Sequence, residues 1–349
     1  MPESMVMPRV SVVVPCHNYE RYLDDALGSA LGQEGVDLDV TIVDDASTDD
    51  SPAIARRWAE VDPRVRVVTH ATNRGHIDTF NHALESATAP YVVKLDPDDL
   101  LTPGSLWRAA RAMRENSRLA FVYGRSLYFR GDPPQAPRRR VVTTEAWTGE
   151  EWIWRRARGG INVIRQPEVM IRRSALEEVG GHRPEIPEAS DYHLWLRLAT
   201  VGDIARIGGA VQGLYRVHPQ SMQHTLHAGI VRDLRARATA FELFLDERGH
   251  LVDDAAEVGR RIRLTLAREA VFHALDAFDG ARASSAPVDE LRALAVELDR
   301  RVCRTRRWHE LEHRIAAGKE TPTPRRSPSR LARQAHWNHH LHWMWRYQR

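Results

Sequence analysis

Only two cysteines, Cys16 and Cys303, occur in 349 residues, and their separation fits neither a disulfide framework nor a metal-ligand spacing. A cross-linked scaffold is thereby excluded, and a reducing, cytoplasmic setting is the expectation. No uninterrupted apolar run approaches the roughly 20 residues of a membrane-spanning helix. Met1–Arg9 lacks the apolar core of a secretory signal. Charge of one sign is not in excess: 50 Lys and Arg against 47 Asp and Glu leave a formal net charge of +3. That balance supplies no overall field for a nucleic acid or a membrane, so no nucleic-acid partner is expected. Internal repeats are missing as well. So are two glycine signatures, Gly-x-Gly-x-x-Gly after the first apolar run and the phosphate loop Gly-x-x-x-x-Gly-Lys-Ser/Thr. If a nucleotide binds, a metal rather than a glycine nest is expected to hold its phosphates. What is present, 42% apolar and 28% charged residues, describes a globular chain of one large or two ordinary domains.

The most informative stretch is Tyr91-Val92-Val93-Lys94-Leu95-Asp96-Pro97-Asp98-Asp99. It starts as a continuous apolar run, the pattern of a parallel strand buried on both faces. Pro97 has no N–H to donate and ends the ladder. Three carboxylates therefore emerge at the carboxyl end of a strand, where open α/β sheets hold ligands. Like charges so close repel unless a cation lies among them. Oxygen ligands suit Mg²⁺ or Mn²⁺, ions that commonly bridge a carboxylate to substrate phosphates. The plain alternative is an acidic turn in which an Asp caps a helix beginning near Pro103.

Strand and helix alternate through the first third. Arg9–Val14 reads as a strand ending at Pro15, followed by the loop Cys16-His17-Asn18-Tyr19 and a helix over Glu20–Leu31. Asp39–Val43 is a second strand and leads into Asp44-Asp45-Ala46-Ser47-Thr48-Asp49-Asp50. Ser51-Pro52 opens a helix, with Pro at its tolerated first-turn position. Val65–Val68 is a third strand, Asn73–His76 a turn, Ile77–Ala87 a helix, and the Tyr91 strand the fourth. Such alternation predicts an α/β fold: a doubly wound, mostly parallel sheet with helices on both faces. It also brings Asp44/Asp45 and Asp96/Asp98/Asp99 to one edge of that sheet. Taken alone, Asp44 and Asp45 are equally well explained as turn and cap residues.

These residues resemble glycosyltransferase family 2, with its GT-A fold. The resemblance is carried by Val10–Tyr19, by Val43–Asp49, by Asn73, Gly75 and Asn81, and by Leu95–Asp99. It continues through Ile171–Ser174, Val179-Gly180-Gly181, Asp191–Arg197 and Tyr215–His218. Their order and spacing match over about residues 8–222. The resemblance implies an inverting enzyme that uses a nucleotide-diphospho-sugar donor, UDP- or dTDP-linked. Pro15 and Asp45 would border the nucleobase pocket, and Asn18 would belong to the same nucleotide-sugar site. The Asp96–Asp99 cluster would bind ribose, through Asp96, and Mn²⁺ or Mg²⁺, through Asp98 and Asp99. His218 would join the metal or the diphosphate, and Asp191 would be the general base. Two departures stand out. Phe80 occupies the place, just before Asn81, that is commonly basic; Arg74 is the candidate to replace that charge. Ser190 occupies the place, just before Asp191, that is often Glu.

Farther along, Leu119–Gly124 reads as a fifth strand and Arg125–Thr144 as a turn-rich loop carrying Arg138-Arg139-Arg140. Trp147, Trp152 and Trp154 could stack on an acceptor sugar, although core packing is the commoner use of Trp. A helix over Ala189–Ala199 puts Asp191 near its start, where the helix dipole favours a carboxylate. Ala205–Ile207 and Val211–Val217 read as strands. The expected domains are a catalytic unit over 1–222, a helical region over 223–317, a linker over 318–330 and a basic aromatic tail over 331–349. Helices are expected at Leu234–Leu245, Ala255–Phe278 and Val288–Ile315. The tail, rich in Trp, His and Arg, could dock on the catalytic domain, bind metal or rest on acidic lipid, giving peripheral contact at the inner face of a membrane. Arg304–Trp308 lacks the Gln of the Gln-x-x-Arg-Trp motif of processive synthases, so a single-transfer enzyme is expected. The rivals are a nucleotidyltransferase on a related fold and a non-catalytic sugar-nucleotide-binding subunit. The acceptor is not named by these residues.

Overall fold

The computed structural model describes residues 6–218, 229–280 and 283–318. The chain divides into two compact units, Met1–Trp152 with Val163–Ser221, and Ile153–Asn162 with Met222–Arg349. The short segment 153–162 thus belongs with the helices that follow in sequence.

The first unit is built around β1 (Arg9–Cys16), in which Val10, Val12, Val13 and Val14 are all fully buried. Burial on successive residues, rather than alternate ones, means that both faces of the strand are covered. Parallel to it run β2 (Asp37–Asp44) on one side and β4 (Tyr91–Lys94) on the other, with β3 (Val65–Thr69) beyond β2. The chain reverses its direction of strand addition between β1 and β4, which opens a crevice at their carboxyl ends. β1 runs on through Pro15, which pairs in register with Val43. Beyond it the Asp45 N–H donates to the Cys16 carbonyl at 2.8 Å, so pairing outlasts the proline.

Helices α1 (Leu23–Leu31), α2 (Ser51–Val61), α3 (His76–Glu85) and α4 (Ser105–Glu115) alternate with these strands. Val10, Val12 and Val14 share one apolar cluster with Leu23 and Leu27 of α1, Ile54 of α2 and Leu106 and Met113 of α4. Helix α3 packs on β1 and β2 from the other side. Gly104, in the left-handed region at φ 73°, precedes α4, so no Asp caps that helix.

The remaining strands are β5 (Leu100–Leu101), β6 (Leu119–Tyr123), β7 (Ser126–Phe129), β8 (Thr143–Trp147), β9 (Val169–Arg172), β10 (Asp203–Gly208) and β11 (Gly213–Arg216). Eight strands form one sheet in the order β3-β2-β1-β4-β9-β6-β10-β8, with β9 antiparallel to both its neighbours and β8 antiparallel to β10. A second, three-stranded sheet runs β5-β11-β7. The α/β, mostly parallel architecture is the expected one. The segment Arg125–Thr144, however, is not all loop: it contains β7 and the start of β8. β8 is an exposed edge strand and gives no apolar signal. Trp152, on α5 (Gly149–Gly159), is core: it is buried edge-on to Phe121 at 5.7 Å between centroids. Two short helices complete this unit, α6 (Arg173–Val179) and α7 (Ser190–Leu198).

The second unit holds α8 (Ile230–Arg248), α9 (Ala255–Asp279), α10 (Val288–Leu298) and α11 (Arg306–Ala317). The single helix expected over Val288–Ile315 is two. Asp299 accepts from the Arg301 N–H and starts a 3₁₀ turn, and Thr305 accepts from the Trp308 N–H and caps α11. These side chains compete with the helix for backbone donors. The segment 319–330 of the expected linker and the tail 331–349 lie outside the described residues. Among the described residues no helix is long and apolar enough to cross a membrane.

Within this unit the buried Arg237 donates to Glu269 at 2.9 and 3.1 Å, to Asp233 at 2.7 Å and to the Gly160 carbonyl at 2.5 Å. Burial alone would raise the Glu269 carboxyl, but hydrogen bonds from His273 and Arg237 and the Arg237 charge hold it at about 2. A carboxyl depressed in the folded state stabilises above its unfolded pKa, near 4.3, and loses that stabilisation as pH falls toward 2. We expect Glu269→Ala to cost about 3 kcal/mol in urea unfolding at pH 7. The deficit should shrink progressively between pH 5 and pH 3; a deficit independent of pH would contradict this.

Candidate functional site

The loops that follow β1 and β2 are tied together by small polar side chains. Asn18, in the left-handed region at φ 61°, donates its N–H to Ser47 Oγ at 2.9 Å and accepts from the Thr48 N–H at 2.8 Å. His17 Nδ1 lies 2.8 Å from the Asp45 carbonyl. Asp45 itself is 2% exposed. Its Oδ1 accepts from the Arg74 N–H at 2.8 Å and contacts His70 Nδ1 at 2.7 Å, while Oδ2 accepts from the Gly75 N–H at 2.9 Å. Burial pushes this carboxyl up, but the bonds from His70, Arg74 and Gly75 prevail and its pKa is lowered. Asp45 therefore fixes the Asn73–Gly75 turn against the end of β2. The Arg74 guanidinium is half exposed and pairs with Asp78 at 2.7 Å.

After β4 each carboxylate has its own counterpart. Asp96 pairs with the largely buried Lys94 Nζ at 2.7 Å, and Asp98 contacts His218 Nε2 at 2.9 Å. Asp99 accepts the Arg216 N–H at 2.8 Å, and its second oxygen is buried without a hydrogen-bond partner among the described residues. The Arg216 guanidinium donates to the Asp98 carbonyl at 2.9 Å and to Asp25 at 3.0 Å. Strand β11, which carries Arg216 and precedes His218, thus lies against the acidic turn. Burial raises the Asp96 carboxyl, opposed by Lys94 and reinforced by Asp98; burial and then the charges of Asp98 and Asp96 push Asp99 well above the usual range. Burial also raises the Tyr19 and Tyr215 hydroxyls, and the charges of Asp96, Asp98 and Asp99 raise them further.

Asp191 lies in the first turn of α7. His182 Nε2 approaches its Oδ1 at 3.1 Å, off the axis of a linear hydrogen bond. Burial acts to raise this carboxyl, yet His182, the Lys94 charge and Gln166 bring it to about 2. Lys94 itself lies over the Phe80 ring at 5.0 Å, and Phe80 stacks on His182 at 3.6 Å between centroids.

The structure therefore gathers Asp96, Asp98, Asp99, Asp191 and His218 around Lys94 and β11, and gathers Pro15, Asn18, Asp45 and Arg74 along the neighbouring ends of β1, β2 and the turn before α3. Among the described residues no three His, Cys, Asp or Glu side chains form a ready-made ion cage. Three contributors had no assigned role in the sequence: Lys94, His182 and Gln166. Lys94 had a signal, a lone charge inside an apolar strand. His182, directly after Gly180-Gly181, had none that composition or periodicity could supply.

An open α/β sheet carrying acidic strand ends at a switch point is a fold that holds its ligand in that crevice. The profile of glycosyl transferase family 2 matches residues 11–180. The putative teichuronic acid biosynthesis glycosyltransferase TuaG of Bacillus subtilis is 30% identical over 195 residues, 56% of this chain and 73% of that protein. The chain belongs to glycosyl transferase family 2. Chondroitin synthase of Escherichia coli is 29% identical over 204 residues, which is 58% of this chain but 28% of the synthase. An uncharacterized Haemophilus influenzae glycosyltransferase is matched over 66% of its length. This chain thus spans only part of several curated relatives. Among solved structures, S. aureus TarS in complex with UDP-GlcNAc shares the fold with a TM-score of 0.62 and 18% identity, over 89% of this chain and 92% of that one. A Pyrobaculum calidifontis mannosyltransferase in complex with GDP-Man and Mn²⁺ gives 0.52 and 21% identity, over 84% and 86%.

Removing the Asp45 carboxylate strands the N–H groups of Arg74 and Gly75, which Asp45 satisfies. Asp45→Ala should cost about 2–3 kcal/mol in urea unfolding. Amide hydrogen exchange at Arg74 and Gly75 should accelerate; unchanged protection there would show that the turn stands without Asp45.

Proposed function

We propose that the chain is an inverting glycosyltransferase that moves a sugar from a nucleotide-diphospho-sugar, UDP- or dTDP-linked, to an acceptor hydroxyl. One observation carries this reading: Lys94 pairs with Asp96 at 2.7 Å at the end of β4, and its charge also acts on Asp191, from α7. This supports a donor-side acidic cluster and a separate carboxylate acting in one crevice. The nucleobase would lie beside Pro15 and the turn that Asp45 anchors, with Asn18 and Arg74 at the rim and Asp96 toward the ribose. The UDP and UDP-GlcNAc complexes of TarS support a uridine donor.

A divalent cation, Mn²⁺ or Mg²⁺, fits the donor set. Asp98 and His218 lie together, and the second Asp99 oxygen is buried without a partner among the described residues. These residues would hold the ion. When bound, the ion supplies Lewis-acid neutralisation of the departing diphosphate. The mannosyltransferase bound to GDP-Man and Mn²⁺ supports this.

Asp191 takes the acceptor proton as the acceptor oxygen bonds to the anomeric carbon and the bond from that carbon to the diphosphate oxygen breaks. With its carboxyl at about 2, Asp191 is ionised at any working pH. A positioned base is worth about 10²–10⁴ in rate. Asp191→Asn should lose transfer by that factor while UDP binding, followed by calorimetry, survives; near-normal turnover would remove the assignment. Asp98→Ala should weaken UDP binding in Mn²⁺ far more than in EDTA, and equal weakening in both would dismiss the metal role.

A further inference from the structure

Ser190 leaves Asp191 without a neighbouring carboxylate, but the fold places a histidine against it. The His182 ring is 5% exposed. One of its faces stacks on Phe80, with centroids 3.6 Å apart and planes 16° from parallel. Its backbone is clamped at both polar atoms by one side chain. Asn81 Oδ1 accepts the His182 N–H at 2.7 Å, and Asn81 Nδ2 donates to the His182 carbonyl at 3.0 Å. The clamp needs glycine at position 181, where a Cβ would come 2.2 Å from Asn81 Oδ1. The ring therefore has little freedom, and its Nε2 ends 3.1 Å from Asp191 Oδ1. That Nε2 is buried and lacks an aligned hydrogen bond in this state. Catalytic hydrogen bonds are often poorly aligned before substrate binds and tighten in the Michaelis complex.

We infer that His182 is a positioning residue for Asp191, its Nε2–H holding Oδ1 so that Oδ2 is presented to the acceptor hydroxyl. This rests on the reading of Asp191 as the base. The arrangement also gives Phe80 a purpose: the aromatic ring that replaces a basic residue before Asn81 is the platform on which His182 lies. Burial, with the charges of Lys94 and Arg197, lowers the imidazole pKa against the pull of Asp191. A neutral ring has one N–H to give, and Nε2 is the ring nitrogen that lies 3.1 Å from the carboxylate. The charged or titratable groups facing this pair are Lys94 on β4, Arg197 and His193 on α7 and, farther off beside Lys94, Asp96.

The test compares His182→Phe, which keeps a stacking ring and removes the N–H, with His182→Gln, which restores an N–H of similar reach. With a UDP-sugar donor, His182→Phe should lower kcat about 10-fold or more. It should leave UDP affinity and the thermal midpoint near those of the parent, and bring an acid limb into the accessible range of the kcat–pH profile. His182→Gln should recover part of the rate. Unchanged kcat and pH profile in His182→Phe, with Asp191→Asn inactive, would overturn the inference and leave the base assignment standing. An active Asp191→Asn would overturn both. The imidazole ¹⁵N signals of the unsubstituted protein give an answer independent of folding in the variants. The Nε2-protonated tautomer is expected, shifting in Asp191→Asn; the Nδ1-protonated tautomer would refute the inference.

Discussion

Lys94 is the charge on which the crevice depends. A buried ammonium tends to lose its proton, because burial penalises the charged form. Here burial is outweighed by Asp96 at 2.7 Å, by Asp191 and by Asp99, and the lysine stays charged. The dependence is mutual. Without the ammonium, Asp96 and Asp191 would face each other across a low-dielectric space with no counter-ion. Such a pair repays its desolvation only when the geometry is good. The Phe80 ring beneath the ammonium adds the attraction of an aromatic face for a cation.

The sheet topology explains why these groups meet although they lie far apart in sequence. β1 and β4 are neighbours, so the turns after β1, β2 and β4 open on the same edge. The antiparallel β9, next to β4, ends where α6 begins and leads on to His182 and α7. The small sheet contributes from the other direction: β11 brings the Arg216 N–H to Asp99 and sets His218 against Asp98. Each carboxylate is thereby assigned one neutralising or donating group.

Much of this was legible in the chain. Buried parallel strands declare themselves as valine-rich runs, and β1, β2 and β4 were visible for that reason. The acidic strand ends were visible because a proline and clustered carboxylates interrupt those runs. β7, β8 and β9 were not. β8 is an exposed edge strand, and β9 runs against its neighbours. The split between α10 and α11 was hidden by an apolar period that continues across Asp299 and Thr305, whose side chains stop the helix locally. The role of His182 depends on tertiary contacts across about a hundred residues, such as that with Asn81, and no local pattern encodes it. The family resemblance supplied Asp191; only the fold shows what holds it.

The central claim is that a carboxylate on α7 acts from across the crevice on an acceptor that attacks opposite the departing diphosphate. The anomeric configuration of the product reports this directly. With an α-linked UDP-sugar as donor, the one-bond and vicinal proton couplings at the new anomeric centre, followed by NMR from the earliest turnover, should be those of a β-linkage. An α-linked product formed from the first turnover onward would contradict the account.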